Sequence, residues 1–451
     1  MIIATATCYR KTANKLTRLQ LPHSRNEQLG LECDLSTVAH ISDIIPTIDW
    51  IRFFSAYSVN NATLTSKTFI AICDEEYFER LGRLLMTESM ETIANFLFWL
   101  HAYGQWTNFD ERIQRLTLAF KRRLNGKRKN PNIREICTSD TLHNFDYALS
   151  AYFARYFVNH QAIYESQIMV KNIRKTMLKL VDKLNWMQEK EKQMVYKKLN
   201  LRSDDNLYWM QMKLNKWQFE KQKILLHKSS HQQTVLDAPL RTFTVNAFYQ
   251  PQLNVQQIKA AIIQRPFIDA KFPACLNYGS LGFIIGHEMT HAFDEIGKNF
   301  NEHGEMKPWW SEETLQRFKS RTKCFVQLFD SFTIPGLNVT NDGTLCKNEA
   351  IADHVGLKLA YQTYKDASSS SQQHNLPGLE KYTNDQLFFI ATAHTLCGHD
   401  TLESLTKRHL NDPHPISSIR INALVSNTPQ FTDAFSCTAA KSGNNYICKF
   451  W

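Results

Sequence analysis

The segment Gly286-His287-Glu288-Met289-Thr290-His291 carries two histidines four residues apart, with a glutamate beside the first. Side chains at i and i+4 share one face of a helix, so both imidazoles could grip a single metal ion. Zinc suits this spacing, and Glu288 would stand beside it as the base for a metal-bound water. Asp294 follows His291 by three residues on nearly the same stripe. Its carboxylate could accept the imidazole N–H that faces away from the metal. Hydrolytic zinc usually takes three protein ligands and keeps one open position. The best third ligand is Glu349 in Asn348-Glu349-Ala350-Ile351-Ala352-Asp353, with Asp353 one helical turn further on the same face. Taken singly, the first motif also fits a helix with two surface histidines, and the second a solvated face. Together they favour one metal centre.

Two helices must position these groups. Leu281, Ile284, Ile285 and Glu288 follow helical spacing, Gly279, Gly282 and Gly286 permit close approach, and Gly297 offers a stop. A second helical run continues from Glu349 through Leu357, Leu359, Ala360 and Tyr361. Upstream, amphipathic helical patterns cover Tyr77 to Leu100 and Leu142 to Phe157, and a long charged one runs from Tyr164 to about Leu199. Phe243-Thr244-Val245 reads as a short strand. Organisation divides near residue 180, which predicts two domains, 1–180 and 181–451.

The chain resembles the neprilysin and endothelin-converting enzyme family of zinc metalloendopeptidases. Asn277-Tyr278-Gly279, the His287 to Asp294 segment and Gly297-Lys298-Asn299-Phe300 are similar to its catalytic helix. Val245-Asn246-Ala247-Phe248-Tyr249 resembles its substrate-binding strand, and Ile262-Ile263-Gln264-Arg265-Pro266-Phe267 a stretch that follows it. Trp309-Trp310, Leu376-Pro377-Gly378-Leu379, Gln386-Leu387-Phe388-Phe389, His414 six residues before Arg420, and a final Cys448-Lys449-Phe450-Trp451 recur there as well. Pro46 to Trp50 and Thr92 to Phe96 followed by Trp99 fit the family's other lobe.

The resemblance implies a mainly α fold with a small β component: a thermolysin-like catalytic lobe and a helical cap, the cap incomplete. It implies one zinc per chain on His287, His291 and Glu349, buttressed by Asp294 and Asp353. Glu288, His414 and Asp353 are then the catalytic residues, Glu288 as general base and His414 as hydrogen-bond donor to the oxyanion. Arg420 would hold a substrate carbonyl, and Asn246 with the Ala247 carbonyl would pair with the peptide backbone. Ile262, Phe267, Ile284 and Leu396 match the wall of a pocket for a hydrophobic residue after the cleaved bond. Leu396 stands where relatives commonly carry Trp, and Val355 where they carry a Gly. Cys324 and Cys448 resemble a family disulfide, whereas Cys137, Cys397 and Cys437 match positions whose partners lie in a missing N-terminal portion.

The 451 residues suffice for two or three domain-sized units. The family's extracellular part is considerably longer, and no signal-peptide pattern or long apolar run is found. The expectation is therefore a truncated or incompletely delimited form of an extracellular or cell-surface enzyme. Membrane association would come only through an N-terminal anchor that this chain lacks. A short isoform retained inside the cell is the rival. The sequons at Asn61 and Asn338 are compatible with secretion. The net charge of +10 is concentrated partly in Lys121-Arg122-Arg123 and Lys127-Arg128-Lys129, around an Asn125-Gly126 turn. No nucleic-acid motif accompanies these runs, so a solvated basic loop is favoured. Peptides are the expected partners, and a catalytically inactive peptide-binding homologue is the alternative to an active endopeptidase.

Overall fold

The computed structural model describes residues 34–57, 64–72, 74–104, 111–199, 242–368, 376–437 and 447–451. Cys8, Cys33, Cys73 and the sequon at Asn61 lie outside them. Packing divides the chain between Pro131 and Asn132, so residue 180 falls inside the larger unit.

In the N-terminal unit, β1 (Asp34–Thr37) pairs antiparallel with β2 (Phe69–Ile72). Thr37 accepts the His40 N–H and starts α1 (Val38–Ile44). Helix α2 (Trp50–Tyr57) follows, and α3 (Glu75–Thr87), α4 (Met90–Gly104) and α5 (Glu111–Asn125) come after β2. Val38, Ile41, Ile45, Trp50 and Ile72 form this unit's small core, while Leu97, Phe98 and Trp99 of α4 are exposed.

The larger unit begins with α6 (Ile133–Asn144), α7 (Asp146–Tyr156), α8 (His160–Asp182) and α9 (Glu189–Leu199). The hairpin β3 (Ala247–Gln250) and β4 (Val255–Ile258) precedes α10 (Ala274–Asn277) and α11 (Phe283–Thr290). Then come α12 (Glu312–Asp330), the hairpin β5 (Thr333–Ile334) and β6 (Val339–Thr340), and α13 (Gly343–Ser368). The remaining helices are α14 (Asn384–Thr395), α15 (Leu402–Asn411), α16 (Ser417–Ser426) and α17 (Pro429–Phe435). One large apolar core runs through α8, α11, α12, α13 and α14. The chain is mainly helical, with three two-stranded sheets among the described residues.

Each long helical pattern read from the sequence is two helices. The first breaks at Glu88-Ser89, where the Ser89 hydroxyl accepts the Thr92 N–H. The second breaks at Phe145, which ends α6 and opens α7. The third breaks over residues 183–188, because Glu191 accepts the Gln188 N–H and starts α9 anew. Side-chain caps act locally and leave the apolar period intact, which is why periodicity overlooks them. The strand lies at Ala247–Gln250 and not at Phe243-Thr244-Val245: Val245 is exposed, and pairing begins with Ala247 opposite Ile258.

Candidate metal centre

Helix α11 opens from a π-helical turn, Tyr278–Gly282, and its last turn tightens into a 3₁₀ segment, His291–Phe293. This axis presents His287 and His291 to one side, their Nε2 atoms 2.9 Å apart. It crosses α13 backbone to backbone. A Cβ on Gly286 would lie 2.7 Å from the Gly356 carbonyl oxygen, and one on Gly356 would lie 2.5 Å from the His287 amide nitrogen. That approach brings Glu349 to the histidines, with Oε2 3.3 Å from His287 Nε2 and Oε1 3.6 Å from His291 Nε2. One ligand atom from each of the three residues falls within 4.8 Å of the others.

The outer ring nitrogens are engaged on the opposite side. His287 Nδ1 lies 2.9 Å from Asp353 Oδ1, and His291 Nδ1 lies 2.7 Å from Asp294 Oδ2. Asp294 Oδ1 in turn accepts the Ile296 and Gly297 amides at 2.9 and 2.7 Å, so the carboxylate cannot swing away. Both Nε2 atoms are thereby aimed at the shared point. Glu349 Oε2 is buried and faces the His287 and His414 Nε2 atoms, each at 3.3 Å, a setting that calls for positive charge beside the carboxylate. Two neutral imidazoles and a carboxylate are a common zinc donor set, so these residues fit that ion.

Charge is concentrated here. Burial disfavours the charged form of Glu349, yet His291, His414 and His287 hold its carboxyl well below the usual range. Burial likewise opposes ionisation of Asp353, but Arg420 and His287 bring it down to about 2. For His287 burial works against the proton, while Asp353 and Glu349 raise the imidazole to about 10. Glu288, buried next in the helix, is pushed upward by desolvation, against the pull of His287 and His291.

His414 follows α15 and reaches the centre with Nε2 3.3 Å from Glu349 Oε2. Arg420, on α16, places Nε and one terminal nitrogen on the two Asp353 oxygens, each at 2.6 Å. Sequence reading did not foresee that pairing. It also overlooked Asp412, whose Oδ1 accepts the His414 N–H and lies 3.0 Å from His414 Nδ1. An Asp two residues before a His is an Asx-turn signal that could have found it. Asn246 is exposed at the start of the hairpin, and its Oδ1 accepts the Ala247 N–H. The hairpin is tied to α11 through Gln256 Nε2, which donates to the Ile285 carbonyl at 2.8 Å. Ile262 is a core residue, and Phe267, Ile284 and Leu396 pack against the same core. Leu396 also lines a shallow apolar hollow with Leu357, Phe389, Ile421, Leu424 and Val425.

Comparison with known proteins places the chain in a family. Residues 10–202 and 246–446 match the N-terminal and catalytic regions described as peptidase family M13. Neprilysin-11 of Caenorhabditis elegans is 27% identical over 446 residues, covering 92% of this chain and 52% of that protein. Human endothelin-converting enzyme 1 is 27% identical, covering 97% of this chain and 59% of its own length. The chain thus spans between half and three-fifths of these relatives. The Mycobacterium tuberculosis zinc metalloprotease Zmp1, in complex with an inhibitor, superposes with a TM-score of 0.82 at 21% identity, over 96% of this chain and 68% of that one. PepO from Lactobacillus rhamnosis gives 0.80 at 20% identity, over 99% and 70%. At these identities the structures speak to the fold alone.

Proposed function

The chain belongs to peptidase family M13, and on that premise we propose that it is a zinc-dependent endopeptidase cleaving oligopeptides on the N-terminal side of hydrophobic residues. The observation that carries this reading is the convergence of one ligand atom each from His287, His291 and Glu349 at a single buried point. Zinc held there would polarise the peptide carbonyl and acidify a water. Glu288 accepts the proton of the attacking water at its carboxylate and passes it to the leaving amine, a task suited to a carboxyl raised by burial. His414, with Nδ1–H held by Asp412, donates Nε2–H as the imidazolium to the carbonyl oxygen as negative charge builds on it. Asn246 and the Ala247 carbonyl align the substrate as an added strand, and the remaining nitrogen of Arg420 meets a substrate carbonyl. Ile262, Phe267, Ile284 and Leu396 form the wall facing the hydrophobic residue.

Residues 1–180 correspond, on this reading, to the later part of a helical cap, and 181–451 to the catalytic domain. The Cys324–Cys448 disulfide and the exposed sequon at Asn338 favour an oxidising, extracellular setting. Among the described residues, no helix is long and apolar enough to cross a membrane.

Zinc content and cleavage of a short fluorogenic peptide by the purified chain test the proposal, with Glu288→Gln as control. Expected are one zinc per chain in both proteins and a fall in kcat of roughly 10²–10⁴ in the variant, the usual contribution of a general base. Folded, zinc-loaded protein without turnover would leave only peptide binding and overturn the catalytic reading.

A further inference from the structure

The side chain of Arg408 is three-quarters withdrawn from solvent at the end of α15, outside the metal centre. Its Nη1 donates to Asp400 Oδ2 at 2.6 Å, its Nε to Asp412 Oδ2 at 3.0 Å, and its Nη2 to the Pro415 carbonyl at 3.4 Å. Asp400 is itself fixed, since its other oxygen accepts the Ser404 hydroxyl at 2.9 Å. The two Asp412 oxygens therefore have separate duties. Oδ2 is held by Arg408, while Oδ1 accepts the His414 N–H and meets His414 Nδ1, both at 3.0 Å. The His414 side chain is half-exposed, so packing does little to fix its ring. What fixes the ring is the Asp412 hydrogen bond: the carboxylate can only accept, so it keeps a proton on Nδ1 and sets the ring plane.

We propose that Arg408 is a positioning residue: it clamps the Asp412 carboxylate and the Pro415 carbonyl on either side of His414, so that Nε2 is presented to the reacting carbonyl. This rests on the endopeptidase reading of the same site. A planar guanidinium is needed because three acceptors in different directions are held at once, which an ammonium can do only in part.

Orienting partners one layer behind a functional group typically contribute ten- to a hundredfold. Arg408→Ala is therefore expected to lower kcat by about ten- to a hundredfold, with KM within about twofold and zinc content unchanged. Arg408→Lys should recover part of the loss. In a His414→Ala background, Arg408→Ala should cost nothing further, because the group it orients is gone. Losses that multiply in the double variant, a normal kcat in Arg408→Ala, or a loss that tracks zinc content would each overturn the proposal. A readout independent of turnover is the ¹⁵N-histidine spectrum, assigned with His414→Gln. Wild type should show His414 with Nδ1 protonated throughout, and Arg408→Ala a mixture in which Nδ1 is partly unprotonated. If wild type cleaves nothing, the endopeptidase reading fails by itself, and an identical His414 signal in both proteins would overturn the clamp separately.

Discussion

Each histidine of the centre is held from behind by a carboxylate, and each carboxylate is held in turn: Asp294 by two backbone amides, Asp353 by the Arg420 fork. Lys198 extends this support. It is fully buried, donates to the Gly297 and Phe300 carbonyls at 2.5 and 2.7 Å, and so pins the loop that follows Asp294. Burial lowers its amine from the ordinary 10.5 to about 7. Between these values the unfolded chain binds the proton that the folded chain releases, so stability rises with pH. The contribution is complete above 10.5 and is lost as pH falls through about 7. Urea unfolding should therefore show a rise in stability from pH 7 toward 10. Lys198→Met should flatten that rise and cost about 1–3 kcal/mol for each carbonyl left unpaired. An unchanged slope in the variant would contradict this assignment.

At the scale of elements, the decisive feature is the crossing of α11 and α13. Gly286 was visible in the sequence as a point of close approach, but its counterpart, Gly356, was not. Val355, which the resemblance marks as a departure from a family Gly, does not stand at the crossing. Val355 is buried in the core, whereas it is Gly356 that lies against the His287 amide. Gly356→Ala should force the two backbones apart, lowering stability by about 1–3 kcal/mol, as overpacking commonly does. It should also weaken zinc binding, because Glu349 rides on the displaced helix. Thermal unfolding and zinc titration of this variant check both effects. Unaltered zinc affinity would mean that Glu349 can follow the histidines without this crossing.

At the scale of the molecule, the long-range tie is the disulfide between Cys324 on α12 and Cys448, closing 124 residues. It anchors the segment carrying Trp451, whose ring lies 5.2 Å from Phe293, two residues past His291. The other cysteines among the described residues are free thiols, Cys137, Cys397 and Cys437 exposed and Cys275 and Cys346 buried. In the chain-entropy account a loop of this size stabilises by roughly 4–5 kcal/mol, and measured values fall between 2 and 5. Cys324→Ala should lower the unfolding free energy by about that range, with a matching shift of the urea midpoint. A midpoint unmoved by the substitution would show that the tail is held by packing alone.

What the sequence determined by itself was local. Spacing put His287 and His291 on one face, set Asp294 on the same stripe, and paired Glu349 with Asp353, because helical periodicity is a property of neighbours in the chain. The mainly helical class was what the family resemblance implied, and helical periodicity along the chain agreed with it. The tertiary structure decided whatever depends on groups distant in sequence. It brought Glu349 across the glycine crossing to the histidines, placed Arg420 on Asp353, and set the Asp400–Arg408–Asp412 clamp behind His414. It also interrupted the long helical patterns, at Ser89 and Glu191 where a side chain capped the backbone and at Phe145 without such a cap. Periodicity reports which face is buried; only the packed chain determines what that face meets.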